Sequence, residues 1–484
     1  MTVSLAEDKS PGRWRTRLNA VLTAPIGYGP VELLAIVLLV PVLLHAALWN
    51  GFPLLFFDSG AYMLEGFGMV FVPERSPVYS LFLRYVQGRQ SLWFVSGAQC
   101  LIIAFVMVQL ARSLRPRTSL RATLGLGVFV SVFSGIAWIA GQVEPDCLTP
   151  LVVLTIYLVG FRRRQMGWWR SALTVLIGAF AVGAHPSHLG LAAGLTLVIL
   201  GFVITALLLR HRVRLPRANP ILPAVIVFSA IAMTMSANYV LTQKIFLNRS
   251  GTIFFAARLI GDGTAKKTLY AVCPTHKLKL CPYKDYLPKT ADSYLWGPYT
   301  PFNKIGRFYG PQDEYAFLVR ESVKRYPLEI LGSGLWASVR QFFMIRTGDG
   351  ISPTEWVLND GFAHFMPKQS ETYINARQQQ GKIWFTGVNV VHVPLLFGAL
   401  IWLVTVLISA VRRQQWGRAV LPAYLFVALL GNALVCGMFS GPHDRYQSRL
   451  VWIAPFMLVL TERRHLTALW RARLANVASA RRRG

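Results

Sequence analysis

Apolar residues in this chain come in long unbroken runs, not at every third or fourth position. The runs lie at 31–50, 91–110, 123–140, 148–161, 171–184, 189–209, 221–242, 387–410, 419–438 and 450–461, and they are nearly free of charge. A run of about twenty residues matches a bilayer core of roughly 30 Å at 1.5 Å per residue. The pattern predicts an all-α polytopic membrane protein with about ten transmembrane helices. The fourth, fifth and tenth runs are short, which tilt, a kink or extension into the interface accommodates. No small-residue cleavage site follows the first run, so the N-terminus reads as an anchor and not as a removed signal.

Composition agrees: 54% of the 484 residues are apolar and 15% are charged, where soluble proteins carry roughly 25% charge. A formal charge of +29 first suggests a nucleic-acid binder, but its placement removes that reading. Six clusters, at 1–30, 111–122, 162–170, 210–217, 411–418 and 462–484, hold 26 of the 50 Lys and Arg, opposed only by Glu7, Asp8 and Glu462. Each sits at the end of an apolar run, as the positive-inside rule expects, and no aromatic–basic binding module is visible. Starting inside and alternating puts every cluster, and both termini, in the cytoplasm. This suits a bacterial inner membrane with the outer loops in the periplasm; a protein facing the endoplasmic-reticulum lumen obeys the same rules.

Alternation leaves 51–90, 141–147, 185–188, 243–386 and 439–449 outside. The segment 243–386 holds 19 Lys and Arg against 11 Asp and Glu, and is too polar for lipid and too long for a connector. It reads as an ordered, partly helical cap, with amphipathic helices at Asp313–Lys324 and Leu328–Phe343, between an N-terminal membrane module (1–242) and a C-terminal one (387–484). Cys273 and Cys281 lie in this loop, eight apart. An oxidising compartment favours a disulfide between them, contributing about 2–3 kcal/mol. His276 between them admits a metal site, though no fourth ligand stands at a familiar spacing. Cys100, Cys147 and Cys436 fall in or beside the runs.

Charge near membrane depth invites a functional explanation, and the candidates stand at the outer ends of the runs. Asp58, in FPLLFFDSGAYML, can cap a helix or, with its pKa raised by desolvation, act as a general base. Glu144-Pro145-Asp146 fills a short turn; Asp146 suits the first turn of the next helix, which accounts for one acid but not two. Arg445 and Arg449 are four apart and share a helix face, suited either to a phosphate or to interfacial anchoring with Tyr446. His185 and His188 either close a tight turn or bind a ligand. Arg75 follows Asp58 closely.

In order, these residues form a more specific pattern. An Asp in the first outer loop is followed by Arg75-Ser76-Pro77-Val78-Tyr79, then by a Pro-Asp before the fourth run, a large late outer loop, and Arg445-Tyr446 before the last run and its Pro. This resembles the GT-C superfamily of integral-membrane glycosyltransferases, which includes protein mannosyltransferases, the lipid A aminoarabinose transferase and bacterial arabinosyltransferases. The resemblance implies a GT-C-like fold and a sugar donor linked to polyprenyl phosphate, with a lipid, glycan or protein acceptor. It also implies Asp58 as the base that deprotonates the acceptor. Asp146, with Glu144, would bind the acceptor or a divalent metal, and Arg445 and Arg75 would hold the donor phosphate. Tyr62, His185, His188, Tyr446 and Arg449 complete the candidate substrate-binding set. The first loop lacks the paired acids of better-known branches, which leaves metal dependence open. The aromatic and polar stretch Glu355–Phe365 reads as a lid over the site.

Two other functions fit the composition. A transporter or lipid flippase requires polar or broken helices at mid-membrane, whereas here the acids gather at one face. An O-antigen ligase or polymerase uses related pyrophosphate donors and relies on Arg and His in its large outer loop, where Arg258, His276 and Arg340 are available.

Overall fold

The computed structural model describes residues 11–462 apart from 28, 88–89, 355–361 and 363. Helix makes up 75% of the structure, and among the described residues extended pairing is confined to two isolated bridges, Pro25 with Ser119 and Leu54 with Gln142. The chain opens with α1 (Pro11–Thr23), α2 (Gly29–Asn50), α3 (Phe57–Gly68), α4 (Pro77–Gln87), α5 (Leu92–Leu114), α6 (Leu120–Phe133) and α7 (Ile136–Ala140). A helical stretch at 145–166 contains α8 (Thr149–Tyr157), a π-turn at Leu158–Arg162 and α9 (Arg163–Met166). Next come α10 (Trp168–Gly183), α11 (Pro186–Leu208), α12 (Ile221–Thr242), α13 (Gly251–Gly261), α14 (Thr264–Val272) and α15 (Ala291–Trp296). They are followed by α16 (Pro301–Lys304), α17 (Gln312–Arg325), α18 (Pro327–Phe343) and α19 (Ser370–Ile374). The chain ends in α20 (Phe385–Arg412), α21 (Trp416–Phe439) and α22 (Asp444–Val451), with further helix at 453–462.

Seven of these stretches are long and apolar enough to cross a membrane: α2, α5, 145–166, α11, α12, α20 and α21. The other three expected runs form shorter helices. The run at 123–140 is divided between α6 and α7, because Ser134 turns into extended backbone (φ −146°, ψ 174°). The run at 171–184 falls in α10, 16 residues that start after Gly167 at φ +80°. The last run is interrupted at Trp452, between α22 and the helix from 453.

Buried charge ties one end of the bundle together. Glu32, at the start of α2 and 3% exposed, receives Arg170 through Nε (2.9 Å) and Nη2 (2.7 Å), with Gln109 at 2.7 Å and Arg112 at 3.6 Å. Three helix ends and part of the basic charge thus converge on one carboxylate, which the apolar run at 31–50 had concealed. At the same end Arg418 pairs with Glu462, and Arg115 donates to the Thr461 carbonyl.

At the other end, α3 and α4 form a packed pair after the first span. Glu65 of α3 is fully buried and clamps the turn between them, accepting from Ser80 Oγ (2.6 Å) and the Val72 amide (3.1 Å). The loop at 243–386 divides in two. Its first part, α13 to α17, has its own core around Ile253, Leu259, Phe302 and Tyr315, and the Cys273–Cys281 disulfide closes a loop within it. The later part rejoins the main core through Ile345, Phe362, Met366 and Tyr373. Between the two, α18 packs lengthwise on α21, so closely that a Cβ on Gly437 would stand 2.6 Å from Ser338 Cα.

Burial pushes the Glu65 carboxyl up to about 7, its hydrogen bonds and Arg75 offsetting part of the rise. A carboxyl whose folded pKa lies above its unfolded value contributes most stability below the unfolded pKa and loses it as pH rises through the folded one. The shift corresponds to about 3 kcal/mol lost between pH 4.5 and 7. Glu65→Gln removes this loss, so the apparent Tm difference between variant and wild type should grow in the variant's favour across that window. A constant difference would show that Glu65 stays neutral or is solvated.

Candidate functional site

The segment between α2 and α3 and the turn at 141–144 are joined by backbone. The Leu54 amide donates to the Gly141 carbonyl (3.0 Å) and the Val143 amide to the Leu54 carbonyl (2.8 Å). Ser59 Oγ donates to the Val143 carbonyl (2.7 Å) and accepts the Phe56 amide (2.9 Å). Tyr79 bonds Gln99, whose Nε2 reaches the Gln142 carbonyl at 2.8 Å. Carboxylates far apart in sequence are thereby set on one surface.

Asp58 is not the cap of α3: the helix starts at Phe57, with Phe56 in the cap position. The Asp58 side chain, 18% exposed, instead pairs with Arg75, which is 9% exposed. The guanidinium lies 5.8 Å from the ring centres of both Tyr62 and Trp296, and its Nε has no hydrogen-bond partner. Tyr62 is buried edge-on against Tyr79.

Asp146 follows Pro145 in the first turn of the 145–166 stretch and pairs with Arg449 of α22, at 6% and 1% side-chain exposure. Arg449 also reaches Asn432 Oδ1 at 3.4 Å. Arg445, one turn earlier, is held differently. It lies 4.2 Å over Phe56 and 4.8 Å over Tyr446 and donates to the Tyr446 hydroxyl (3.1 Å). No carboxylate is within ion-pair distance of it among the described residues, although Asp58, Glu144 and Asp146 all act on its charge.

Glu144 lies between the two pairs. It is 2% exposed, and its Oε2 has no hydrogen-bond partner. Burial, followed by Asp58 and Asp146, pushes its carboxyl well above the usual range, with Arg445 and Arg75 acting in opposition. Burial and the two acids thus favour the protonated form, in which the carboxyl has a hydrogen bond to give.

The histidines separate. His185 caps α11, its Nδ1 accepting the Ser187 amide at 3.2 Å, and its charge interacts with that of Asp146. His188 is buried with both ring nitrogens engaged, Nδ1 with the Ala181 carbonyl (2.7 Å) and Nε2 with Thr149 Oγ1 (2.6 Å). The two bonds join three helices.

Arg75 and His185 also head a cleft of about 560 Å³, counted to its open mouth, between α4, α10, α11 and α12. Its walls include Val182, Leu189, Ala230 and Ile231, and Arg249 stands at its rim, 4.1 Å over Phe246. Sequence reading missed Arg249 and the cleft; the only signal was an arginine just beyond the seventh run. Within 243–386, His276 packs against Phe317 at 4.8 Å instead of joining the site. The segment Glu355–Phe365 lies largely outside the described residues; within it Phe362 packs against Phe52 and Tyr373.

Among the described residues no three His, Cys, Asp or Glu side chains converge as a metal site. Asp58 and Asp146 already face guanidiniums, so the arrangement does not fit a resident divalent ion. No family model, curated protein or solved structure matches this chain; the chemistry has to be read from the residues themselves.

Breaking a buried ion pair from one side leaves an uncompensated charge and costs about 3–5 kcal/mol, whereas removing both partners costs much less. Arg449→Met should therefore lower the apparent Tm more than the double variant Asp146→Asn with Arg449→Met. Equal losses would mean that the pair is solvated and contributes little.

Proposed function

We propose that this chain is an integral-membrane glycosyltransferase of the GT-C type. It moves a sugar from a polyprenyl-phosphate donor to a lipid, glycan or protein acceptor at the outer face of the membrane. The observation that carries this reading is the unpartnered, buried Glu144 carboxyl among Asp58–Arg75, Asp146–Arg449 and Arg445, beside an apolar cleft headed by Arg75 and His185. The ten-span topology belongs to the same proposal. The basic ends lie in the cytoplasm and the carboxylate end faces outward, in the periplasm for a bacterial inner membrane.

In this mechanism the cleft takes the start of the polyprenyl chain. Arg75 and Arg445 face the donor phosphate and neutralise the negative charge that grows as the bond from the anomeric carbon to the phosphate oxygen breaks. Asp58, the most exposed of the three carboxylates, takes the proton of the acceptor hydroxyl. The acceptor oxygen attacks the anomeric carbon from the face opposite the phosphate, so configuration inverts and no protein nucleophile is needed. Glu144, in its protonated form, donates a hydrogen bond to an oxygen of the bound substrates without transferring the proton. Asp146 stays paired with Arg449 and keeps that cation in place. Every step uses groups already in the pocket, and the phosphate departs still attached to its lipid.

Lipid extracts from cells with wild-type protein and with Asp58→Asn, expressed at equal levels, test the proposal. The variant should accumulate the polyprenyl-phosphate sugar, and transfer should fall by about 100-fold or more, as expected for loss of a general base. Extracts that match, while a deletion strain still shows an envelope defect, would move transport ahead of transfer. A second readout is Glu144→Gln, which keeps a donor at the same place. It should retain far more activity than Glu144→Ala, and equal losses would remove the hydrogen-bond role.

A further inference from the structure

The later half of the outer loop carries a surface that the soluble-cap reading does not explain. In α18 the side chains of Leu328, Leu331, Leu335, Trp336, Val339 and Phe343 are all exposed, Leu328 by 80% and Trp336 by 65%. At 100° per residue they fall within an arc of about 140°. The opposite face, with Gly334, Ala337, Ser338 and Gln341, is buried. Most of its large apolar residues face away from the protein, with Glu329 and Arg340 exposed at the edge of that face, while the buried face carries small and polar residues together with Ile330.

Its packing sets its depth. α18 runs antiparallel to α21, with Gly334 against Met438 at the outer end of that helix. Further along, Phe342 contacts the Phe426 ring at 6.0 Å and Phe343 the Phe397 ring at 6.4 Å. Phe426 and Phe397 lie roughly 18 Å inside the outer ends of α21 and α20 at 1.5 Å per residue. The C-terminal end of α18 therefore descends beside two helices that cross the membrane. Its exposed face is continuous with theirs, where Leu430, Leu434 and Phe439 of α21 are also exposed. At its upper end stand Arg320, Lys324, Arg325 and Tyr326, residue types that sit at the headgroup level.

We propose that α18 is a re-entrant membrane helix whose Leu328–Phe343 face lies in the outer-leaflet hydrocarbon, with Lys324 and Arg325 at the phosphate level. The proposal rests on α20 and α21 being transmembrane and does not depend on the glycosyltransferase reading. Its consequence reaches the site. Gln341, on the buried face, donates to the His443 carbonyl (2.8 Å) and accepts the His443 amide (2.9 Å). That clamp fixes the residue just before the helix bearing Arg445, so the bilayer position of α18 sets the height of Arg445.

The test uses the full chain in vesicles of mixed neutral and anionic phospholipid. Single cysteines at Trp336→Cys and, as a second position, Leu331→Cys carry an environment-sensitive fluorophore. Lys324→Cys serves as the headgroup-level, iodide-accessible reference and Leu434→Cys as the lipid reference; all four side chains are exposed, so the fold is retained. Labels at 336 and 331 should match the label at 434, with several-fold stronger quenching by doxyl-labelled lipid than by aqueous iodide. Iodide quenching equal to that at 324 would overturn the proposal. Protection from both quenchers, with cross-linking between two copies through 336, would overturn it in favour of a dimer interface. Loss of lipid quenching at 434 as well would remove the membrane assignment on which it rests.

Discussion

Three carboxylates brought close together in a poorly hydrated place repel one another, and the protein answers with arginines. Asp58 is matched by Arg75 and Asp146 by Arg449, while Glu144 has no guanidinium within ion-pair distance among the described residues and burial favours its neutral form. Each buried pair loses hydration on both partners and is sustained only by close geometry and by surrounding polar groups. Asn432 beside Arg449 and the aromatic faces beside Arg75 and Arg445 fill that role here. Arg445 is the exception. Its partners are aromatic faces, a hydroxyl and the field of three acids, so an anion can approach its guanidinium without displacing a carboxylate.

The constraint extends to the backbone. The charges coexist only if the segment before α3 and the turn before Pro145 are locked together, and the Leu54–Gln142 bridge with Ser59 does this. The third contributor, α22, comes from the far end of the chain and is placed through Asn432, whose Nδ2 donates to the Tyr446 carbonyl (2.6 Å) and to Gln447 Oε1 (2.8 Å). A single side chain on α21, the last of the seven long helices, thus aligns both arginines with acids near residue 145. The opposite end of the bundle repeats the logic with one acid and two arginines at Glu32, where both carboxylate oxygens are engaged.

Much of the helix layout was legible because burial in lipid demands unbroken apolar runs, and seven of those runs form helices of the required length and character. The three shorter ones were less legible, since a run of apolar letters does not reveal that Ser134 turns the chain out of helix. The two cysteines and the helices at 312–325 and 327–343 were readable from local spacing. Asp58, Glu144, Asp146, Arg75, Arg445 and Arg449 were each visible as polar residues at the ends of apolar runs, but their pairing was not. Asp146 and Arg449 are separated by 303 residues, and nothing local distinguishes the acid that receives a guanidinium from the one that does not. Glu32 escaped notice because it opens an apolar run, and Arg249 because its cleft exists only where four helices meet.

Helix α18 shows where a sequence pattern stops. Its period reveals that one face is apolar, and in a polar loop the natural inference is that this face turns inward to a cap core. The structure turns it outward because Gly334 and Gly437 allow two helix backbones to approach closely, and a small-residue contact of that kind is how helices associate where lipid competes for every large apolar side chain. Close approach leaves no room for leucines at the interface, so they must go to the other side. The choice of glycine at two positions, one on each helix, therefore decides which face of α18 meets the surroundings. Through Gln341 and His443 it also decides where the guanidinium of Arg445 stands relative to the three acids.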